Sequence, residues 1–153
     1  MPIMSPQDKR ALATRFKKDL DHDVTATLYT VRSAALLVVP GRECATCADA
    51  HQLMDELAEL SPRLSVEPVD FYIDAQIAQQ HGVDRIPCID LHLKGQDQPH
   101  VRFYGVPSGY EFLTLVEDIV TLSRGVSPLS TPTRKVLRKL EKDVRIQVFV
   151  TPG

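Results

Sequence analysis

The chain has 153 residues, of which 43% are hydrophobic and 25% are charged, a composition that excludes a disordered or fibrous protein. The 18 Lys and Arg residues nearly balance the 20 Asp and Glu residues. The net charge of −2 therefore favours neither nucleic acid nor an acidic membrane as a partner. The longest uncharged apolar run, 33–41, is too short to cross a bilayer, and the amino terminus has no signal-peptide pattern, so we expect a soluble, cytoplasmic protein.

Charge is distributed unevenly along the chain. Residues 1–130 hold 12 basic and 18 acidic side chains, whereas residues 131–153 hold six basic and two acidic ones. The boundary lies in a segment rich in Gly, Ser and Pro, which is typical of a linker. We therefore predict a domain at 1–125, a linker at 126–131 and a basic segment at 132–153.

The first predicted elements are a helix and two strands. Ser5 and Pro6 are typical of a helix start, and apolar residues recur at helical spacing as far as Leu20. An alternating run, Val24–Val31, and a second apolar run, Ala34–Val39, predict strands.

The elements that follow complete an α/β pattern. In order, they are a helix opened by the cysteines and stopped before Ser61, a strand over Leu64–Tyr72, a short helix from Asp74 to Gln80, strands over Cys88–Leu93 and Val101–Tyr104, and a helix that starts at a capping box, Ser108 to Glu111. This alternation predicts a sheet covered by helices on both faces.

The residues beyond the linker repeat the beginning of the chain. Thr131-Pro132 predicts a helix start, and the alternating segment Val144–Val150 predicts a strand. The order copies the helix and strand of residues 5–31. We interpret 132–153 as the first helix and strand of an incomplete second unit.

Cys44 and Cys47 are separated by two residues and lie where a helix is predicted to begin. A thiolate is the attacking species in disulfide exchange, and unpaired N–H groups at a helix N-terminus lower the pKa of a thiol. We expect Cys44, nearest the loop, to be the exposed nucleophile. Cys47, one turn into the helix, is then placed to attack the mixed disulfide.

Two alternatives remain for these cysteines. In the first, both cysteines are small buried hydrophobic residues with no chemical role. In the second, they bind a metal together with His51, which lies seven residues after Cys44 on the same helix. A closed metal site needs a fourth ligand, and the chain has no second CxxC, so we predict no metal.

Several separated segments carry a family resemblance: 44–47, 56–61 leading to 69–71, 84–87, 101–112 and 117–120. Together they resemble the thioredoxin superfamily, and within it the glutaredoxin-like protein disulfide oxidoreductases, which carry two thioredoxin-fold units in tandem. Residues 143–152 are similar to the start of that family's second unit, where another CxxC follows. The amino-terminal domain of alkyl hydroperoxide reductase flavoproteins is a more distant relative.

The resemblance implies a thioredoxin-like three-layer sandwich with a central mixed β-sheet. It also implies that Cys44 is the nucleophile, that Cys47 is the resolving cysteine and that Pro87 is a cis-proline opposite their disulfide. A cis bond would leave the Ile86 backbone free to pair with an extended substrate segment. One departure is that the segment 24–43 is longer than the family's single strand before the motif.

Cys88, directly after the implied cis-proline, is not part of the family pattern. We interpret it as a small buried residue at the start of a central strand, and the alternative is a third redox thiol. Asp90 and His92 share its strand face by period two. Asp90 is interpreted as ion-paired or solvent-facing rather than as a buried proton acceptor.

The predicted function is a thiol–disulfide oxidoreductase that exchanges a disulfide with protein substrates. An upstream reductase would recharge the Cys44–Cys47 pair, and no bound cofactor is needed. One alternative is an electron carrier to a peroxidase. Another is a non-catalytic module that binds a partner or forms a homodimer through residues 132–153.

Overall fold

The computed structural model describes residues 3–31, 41–96, 98 and 100–148. Its helices and strands are α1 (Pro6–Asp19), β1 (Val24–Thr30), α2 (Cys47–Ala58), β2 (Leu64–Asp70), α3 (Ala75–Gln80), β3 (Cys88–Leu93), β4 (Val101–Tyr104), α4 (Tyr110–Arg124) and α5 (Thr131–Leu137). These elements follow the predicted order. The strand predicted at Ala34–Val39 lies outside the described residues.

The four strands form one mixed sheet in the order β2-β1-β3-β4. β1 pairs in parallel with β2, to which it is joined through α2, and it pairs antiparallel with β3. β3 and β4 also pair antiparallel. Every residue of β1 is buried, because β1 has a neighbour on each side and helices on each face.

Alternate residues of β1 face two different cores. Ala26 and Leu28 lie in a large apolar cluster with side chains of α1, α2 and α4. Tyr29 lies in a smaller cluster on the other face with Ala78 of α3. The sheet is therefore the middle of three layers, which confirms the predicted α/β sandwich with a central mixed sheet.

The ends of α1 and α4 show where local capping signals succeed and fail. Ser5 Oγ accepts a hydrogen bond from the Asp8 amide, as the N-cap prediction requires. The predicted capping box at Ser108 does not form, since Gly109 is the N-cap residue of α4 and no side chain caps it. Gly109 has φ 57°, a conformation open to glycine that shifts the helix start by one residue and puts the Ser108 hydroxyl out of position.

Past the linker, α5 begins at Thr131, one residue earlier than the Thr131-Pro132 pattern predicts, because Ser130 is the N-cap and its Oγ accepts a hydrogen bond from the Thr133 amide. Residues 141–148 form neither a helix nor a strand, although an alternating strand is predicted at 144–150, whose last two residues lie outside the described chain. Residues 144–148 are exposed, and no neighbouring strand within the described part of the chain satisfies their backbone groups. The assignment of 132–153 to a second unit stays a prediction.

Candidate functional site: the disulfide before helix α2

Cys44 and Cys47 form a disulfide, with an S–S distance of 2.01 Å and a Cα–Cα distance of 5.5 Å. Cys44 is half-buried, whereas Cys47 is only 3% exposed. α2 begins at Cys47, with Thr46 as its N-cap, so the prediction that Cys47 lies one turn into the helix is wrong. Thr46 has non-helical dihedral angles because residues 44–46 form the turn that the disulfide closes. The half-buried cysteine therefore lies in the turn before the helix, and the buried cysteine is the first residue of the helix.

The loop before the disulfide contacts the connection between β2 and α3. The Arg42 guanidinium lies 4.9 Å from the centroid of the Tyr72 ring, a cation–π contact. Glu43, the next residue, is exposed. A fixed positive charge therefore lies two residues before Cys44.

Ile86 and Pro87 precede β3 and are joined by a cis peptide bond, as the family resemblance implies. Ile86 is half-buried and Pro87 is buried. The Pro87 carbonyl accepts a hydrogen bond of 2.9 Å from the Gly105 amide, which holds this segment against the end of β4.

The sheet register brings the two segments to one end of the molecule. Cys88, the first residue of β3, pairs with Tyr29 near the carboxyl end of β1. Thr30, the last residue of β1, is hydrogen bonded through Oγ1 to Nε2 of His51 on α2, at 2.6 Å. The segment that contains Pro87 and the helix that begins at Cys47 are therefore both anchored at the carboxyl end of β1.

His51 takes part in this contact with Thr30. Among the residues that the structure describes, no group of three or more His, Cys, Asp or Glu side chains is arranged to hold a metal ion. Cys44 and Cys47, the two cysteines of the metal alternative, are bonded to each other in this structure.

Comparison with solved structures shows the fold that carries the disulfide. No protein-family model matches the chain. A protein disulfide oxidoreductase from Aeropyrum pernix K1 superposes with a TM-score of 0.69 at 26% identity, over 89% of this chain and 55% of that one. The chain has a thioredoxin fold.

One further structural relative and one sequence relative are similar to the chain. An alkylhydroperoxide reductase protein from Enterococcus faecalis superposes on this thioredoxin-fold chain with a TM-score of 0.73 at 19% identity, over 91% of this chain and 62% of that one. An NADH dehydrogenase of Bacillus subtilis is 24% identical over 136 residues, which are 86% of this chain and 24% of that protein. The chain thus spans somewhat more than half of the two structural relatives and a quarter of the sequence relative.

Cys88 lies on the other side of the thioredoxin-fold sheet from α2. It belongs to the smaller cluster with Tyr29 and α3, whereas α2 packs against the alternate residues of β1. Burial, followed by the nearby charge of Asp90, raises the pKa of the Cys88 thiol to about 12. The structure therefore supports the interpretation of Cys88 as a buried residue and separates it from the disulfide.

A buried ion pair beside Cys88 is only partly predictable from the sequence. Cys88 donates a weak hydrogen bond of 3.8 Å to Asp90 Oδ1, and Arg102 of β4 binds both oxygens of that carboxylate. Of the two interpretations given for Asp90, the ion pair is correct and the solvent-facing position is wrong, since Asp90 is 1% exposed. Its partner is known only from the pairing of Asp90 with Arg102 in the β3–β4 register.

Within the described residues, no helix is long and apolar enough to cross a membrane.

Proposed function

We propose that this thioredoxin-fold chain is a thiol–disulfide oxidoreductase that acts on protein disulfides. The observation that carries the proposal is the Cys44–Cys47 disulfide, whose outer cysteine is half-buried and whose inner cysteine is buried at the first residue of α2. Such a pair supplies one thiol that a substrate can reach and one that only the mixed disulfide can reach.

The reaction is written for the reduced chain. The Cys44 thiolate attacks one sulfur of a substrate disulfide, forms a mixed disulfide and releases the other substrate sulfur as a thiolate, which takes up a proton. Cys47 then loses its proton and attacks Cys44 Sγ, which releases the second substrate thiol. Two electrons pass from the chain to the substrate, and the chain is left with the 44–47 disulfide.

Ile86 and Pro87 are proposed to bind the substrate. Their segment and α2 are anchored at the same end of β1, and Ile86 is half-buried, so part of it remains accessible. An extended substrate segment can pair with backbone groups at this position, as peptides do when they add to the edge of a sheet.

The proposed partners are protein disulfides on one side and an upstream reductase on the other. Likeness to a protein disulfide oxidoreductase supports protein substrates, and the fold shared with an alkylhydroperoxide reductase protein supports electron transfer to a peroxidase as the alternative. The proposed reaction uses the cysteine pair and no bound cofactor. A cytoplasmic location stays a prediction.

We also propose that residues 132–153 begin a second thioredoxin-like unit. α5 starts with a Ser N-cap and an early Pro, as α1 does, and the chain spans 55% of the Aeropyrum protein. The competing proposal is a homodimer formed through residues 132–153. It predicts that light scattering gives a dimer mass for the full chain and a monomer mass when these residues are removed.

Reduction of insulin by dithiothreitol tests the proposed activity. The chain should accelerate insulin precipitation, and Cys44→Ser should abolish the acceleration because the attacking thiolate is lost. Cys88→Ala is the matched control and should retain activity, since Cys88 lies on the opposite face of the sheet. A wild-type chain no faster than Cys44→Ser would contradict the proposal and favour a non-catalytic module. Activity confined to one peroxidase would favour the electron-carrier alternative.

A further inference from the structure

We infer that His51 accepts the proton of Cys47 when Cys47 attacks the mixed disulfide. This inference rests on the proposed function and assigns to it a residue beyond the two cysteines. It places His51 in the resolving step and leaves the first attack by Cys44 independent of it.

The helix geometry places His51 beside Cys47. The two residues are four apart in α2, where side chains at i and i+4 are neighbours on one face. Side chains of a helix also lean toward its N-terminus, so a residue covers the turn that precedes it. The imidazole of His51 therefore covers the turn that holds Cys47.

Thr30 holds the imidazole in this position. Its Oγ1 lies 2.6 Å from His51 Nε2, and Thr30 is only 1% exposed, so the ring is fixed against the end of β1. We assign the proton of this hydrogen bond to Nε2, with Thr30 Oγ1 as the acceptor. Nδ1 then carries the lone pair that can receive a proton.

The chemistry of the resolving step calls for such a base. Cys47 is 3% exposed, and the thiolate form of a cysteine is disfavoured in apolar surroundings. In the inferred step, the Cys47 S–H proton moves to Nδ1 directly or through one water. The sulfur attacks Cys44 Sγ, the Cys44–substrate S–S bond breaks, and the departing substrate thiolate receives a proton from the imidazolium.

Charged residues lie on the strand that pairs with the end of β1, on α2 itself and in the loop before the disulfide. Asp70 of β2 pairs in register with Thr30 and therefore shares its face, and its Oδ1 accepts hydrogen bonds from two backbone amides, those of residues 72 and 73. On α2 itself, Asp49 and Asp55 are exposed. In the loop before the disulfide, Arg42 lies over the Tyr72 ring.

The experiment follows the reduced full chain as it reacts with 5,5′-dithiobis(2-nitrobenzoate). Attack by Cys44 releases one thionitrobenzoate, and attack by Cys47 on the resulting mixed disulfide releases the second. In His51→Gln, which keeps a polar side chain but lacks a basic nitrogen, the second release should be at least about ten-fold slower near pH 7, since general bases contribute about 100- to 10,000-fold. The first release should change less than about two-fold, a margin far below that contribution.

Two further variants sharpen the result. His100→Gln, at an exposed histidine before β4, should match the wild type in both releases. Thr30→Val, which frees the imidazole, should slow only the second release. In His51→Gln, the rate of the second release should keep rising with pH over a wider alkaline range than in the wild type. The reason is that hydroxide replaces the imidazole as the base in this variant.

Each outcome bears on one proposal. A second release in His51→Gln that equals the wild-type rate at every pH would overturn the inference, and so would a His51→Gln defect that appears equally in the first release. Thr30→Val provides the same test if His51→Gln does not fold. Failure of the wild type to accelerate insulin reduction would instead contradict the proposed function.

Discussion

The guanidinium of Arg102 donates two hydrogen bonds to the carboxylate of Asp90, on the face of the sheet that α3 covers. Nε donates to Oδ1 at 2.6 Å and Nη2 donates to Oδ2 at 2.7 Å, while Asp90 is 1% exposed. Arg102 also donates to the backbone carbonyls of His81 and Gly82, directly after α3. One side chain thus satisfies a buried carboxylate and holds the end of α3 against the sheet.

Replacement of Arg102 by Leu should lower the free energy of unfolding by about 3–5 kcal/mol, because it leaves the buried Asp90 charge unpaired. Urea denaturation at pH 7 measures the loss. The control is Arg63→Leu, which removes a pair with Asp23 whose side chains are 48% and 42% exposed and which should cost less than about 1 kcal/mol. Equal losses in the two variants would contradict the assigned role of Arg102.

Glu56 joins α2 to the first residues of the chain. Its carboxylate accepts hydrogen bonds from the amides of Ile3 and Met4 and from Gln52, and it pairs with Lys9 at 3.2 Å. Burial opposes ionisation of Glu56, but these four partners together lower its pKa from 4.5 to about 2. The folded chain therefore holds Glu56 ionised more strongly than the unfolded chain does.

This lowered pKa makes stability depend on pH in the acid range. The contribution of Glu56 is complete above pH 4.5 and is lost as the pH falls from 4.5 toward 2. Glu56→Gln should reduce stability at pH 7 by about 1–3 kcal/mol and should flatten the acid limb of the stability curve. Glu59→Gln is the matched control, since Glu59 is 72% exposed at 3.8 Å from the same lysine, and it should leave that limb unchanged.

Cys88 should be unreactive in the folded chain. With the 44–47 disulfide intact, Cys88 is the remaining thiol, and burial and Asp90 raise its pKa to about 12. At pH 8, 5,5′-dithiobis(2-nitrobenzoate) should titrate less than about a tenth of an equivalent in the native protein and one equivalent in guanidinium chloride. Rapid native labelling would show that Cys88 is accessible and would restore the third-redox-thiol alternative.

The raised pKa of Cys88 also predicts an alkaline loss of stability. The unfolded thiol ionises near 9, whereas the folded one does so at about 12. The folded state therefore holds more protons in this range, and stability falls as the pH rises from 9 to 12. Cys88→Ala should reduce that fall in denaturation curves measured between pH 8 and pH 11, and a slope equal to the wild type would contradict the assignment.

Cys47→Ser should trap the mixed disulfide, because Cys44 can still attack but the resolving thiol is absent. Incubation with a disulfide-containing protein should yield a covalent adduct on non-reducing gels that dithiothreitol removes. Cys44→Ser should yield none. Adducts through Cys47 in the Cys44→Ser chain would reverse the roles proposed for the two cysteines.

Local sequence patterns predicted many of the helices and strands, because helix caps, strand alternation and the cysteine spacing each depend on neighbouring residues. Val24–Thr30 alternates and is β-rich, Ser5 caps the helix that it begins, and two residues separate Cys44 from Cys47, the spacing of a small disulfide ring. Each of these features depends on residues within a few positions of one another. Where a local signal failed, as at Gly109, a single positive φ angle moved the helix start.

Contacts between residues that lie far apart in the chain depend on the tertiary structure. Thr30 meets His51 across 21 positions, Asp90 meets Arg102 across 12, and Glu56 meets Ile3 across 53. Periodicity places a residue on a face of its own helix or strand and carries no information about which face of another element lies opposite. The sequence by itself therefore determined most of the elements and the spacing of the cysteine pair, whereas strand order and helix packing decided which charged and polar groups surround them.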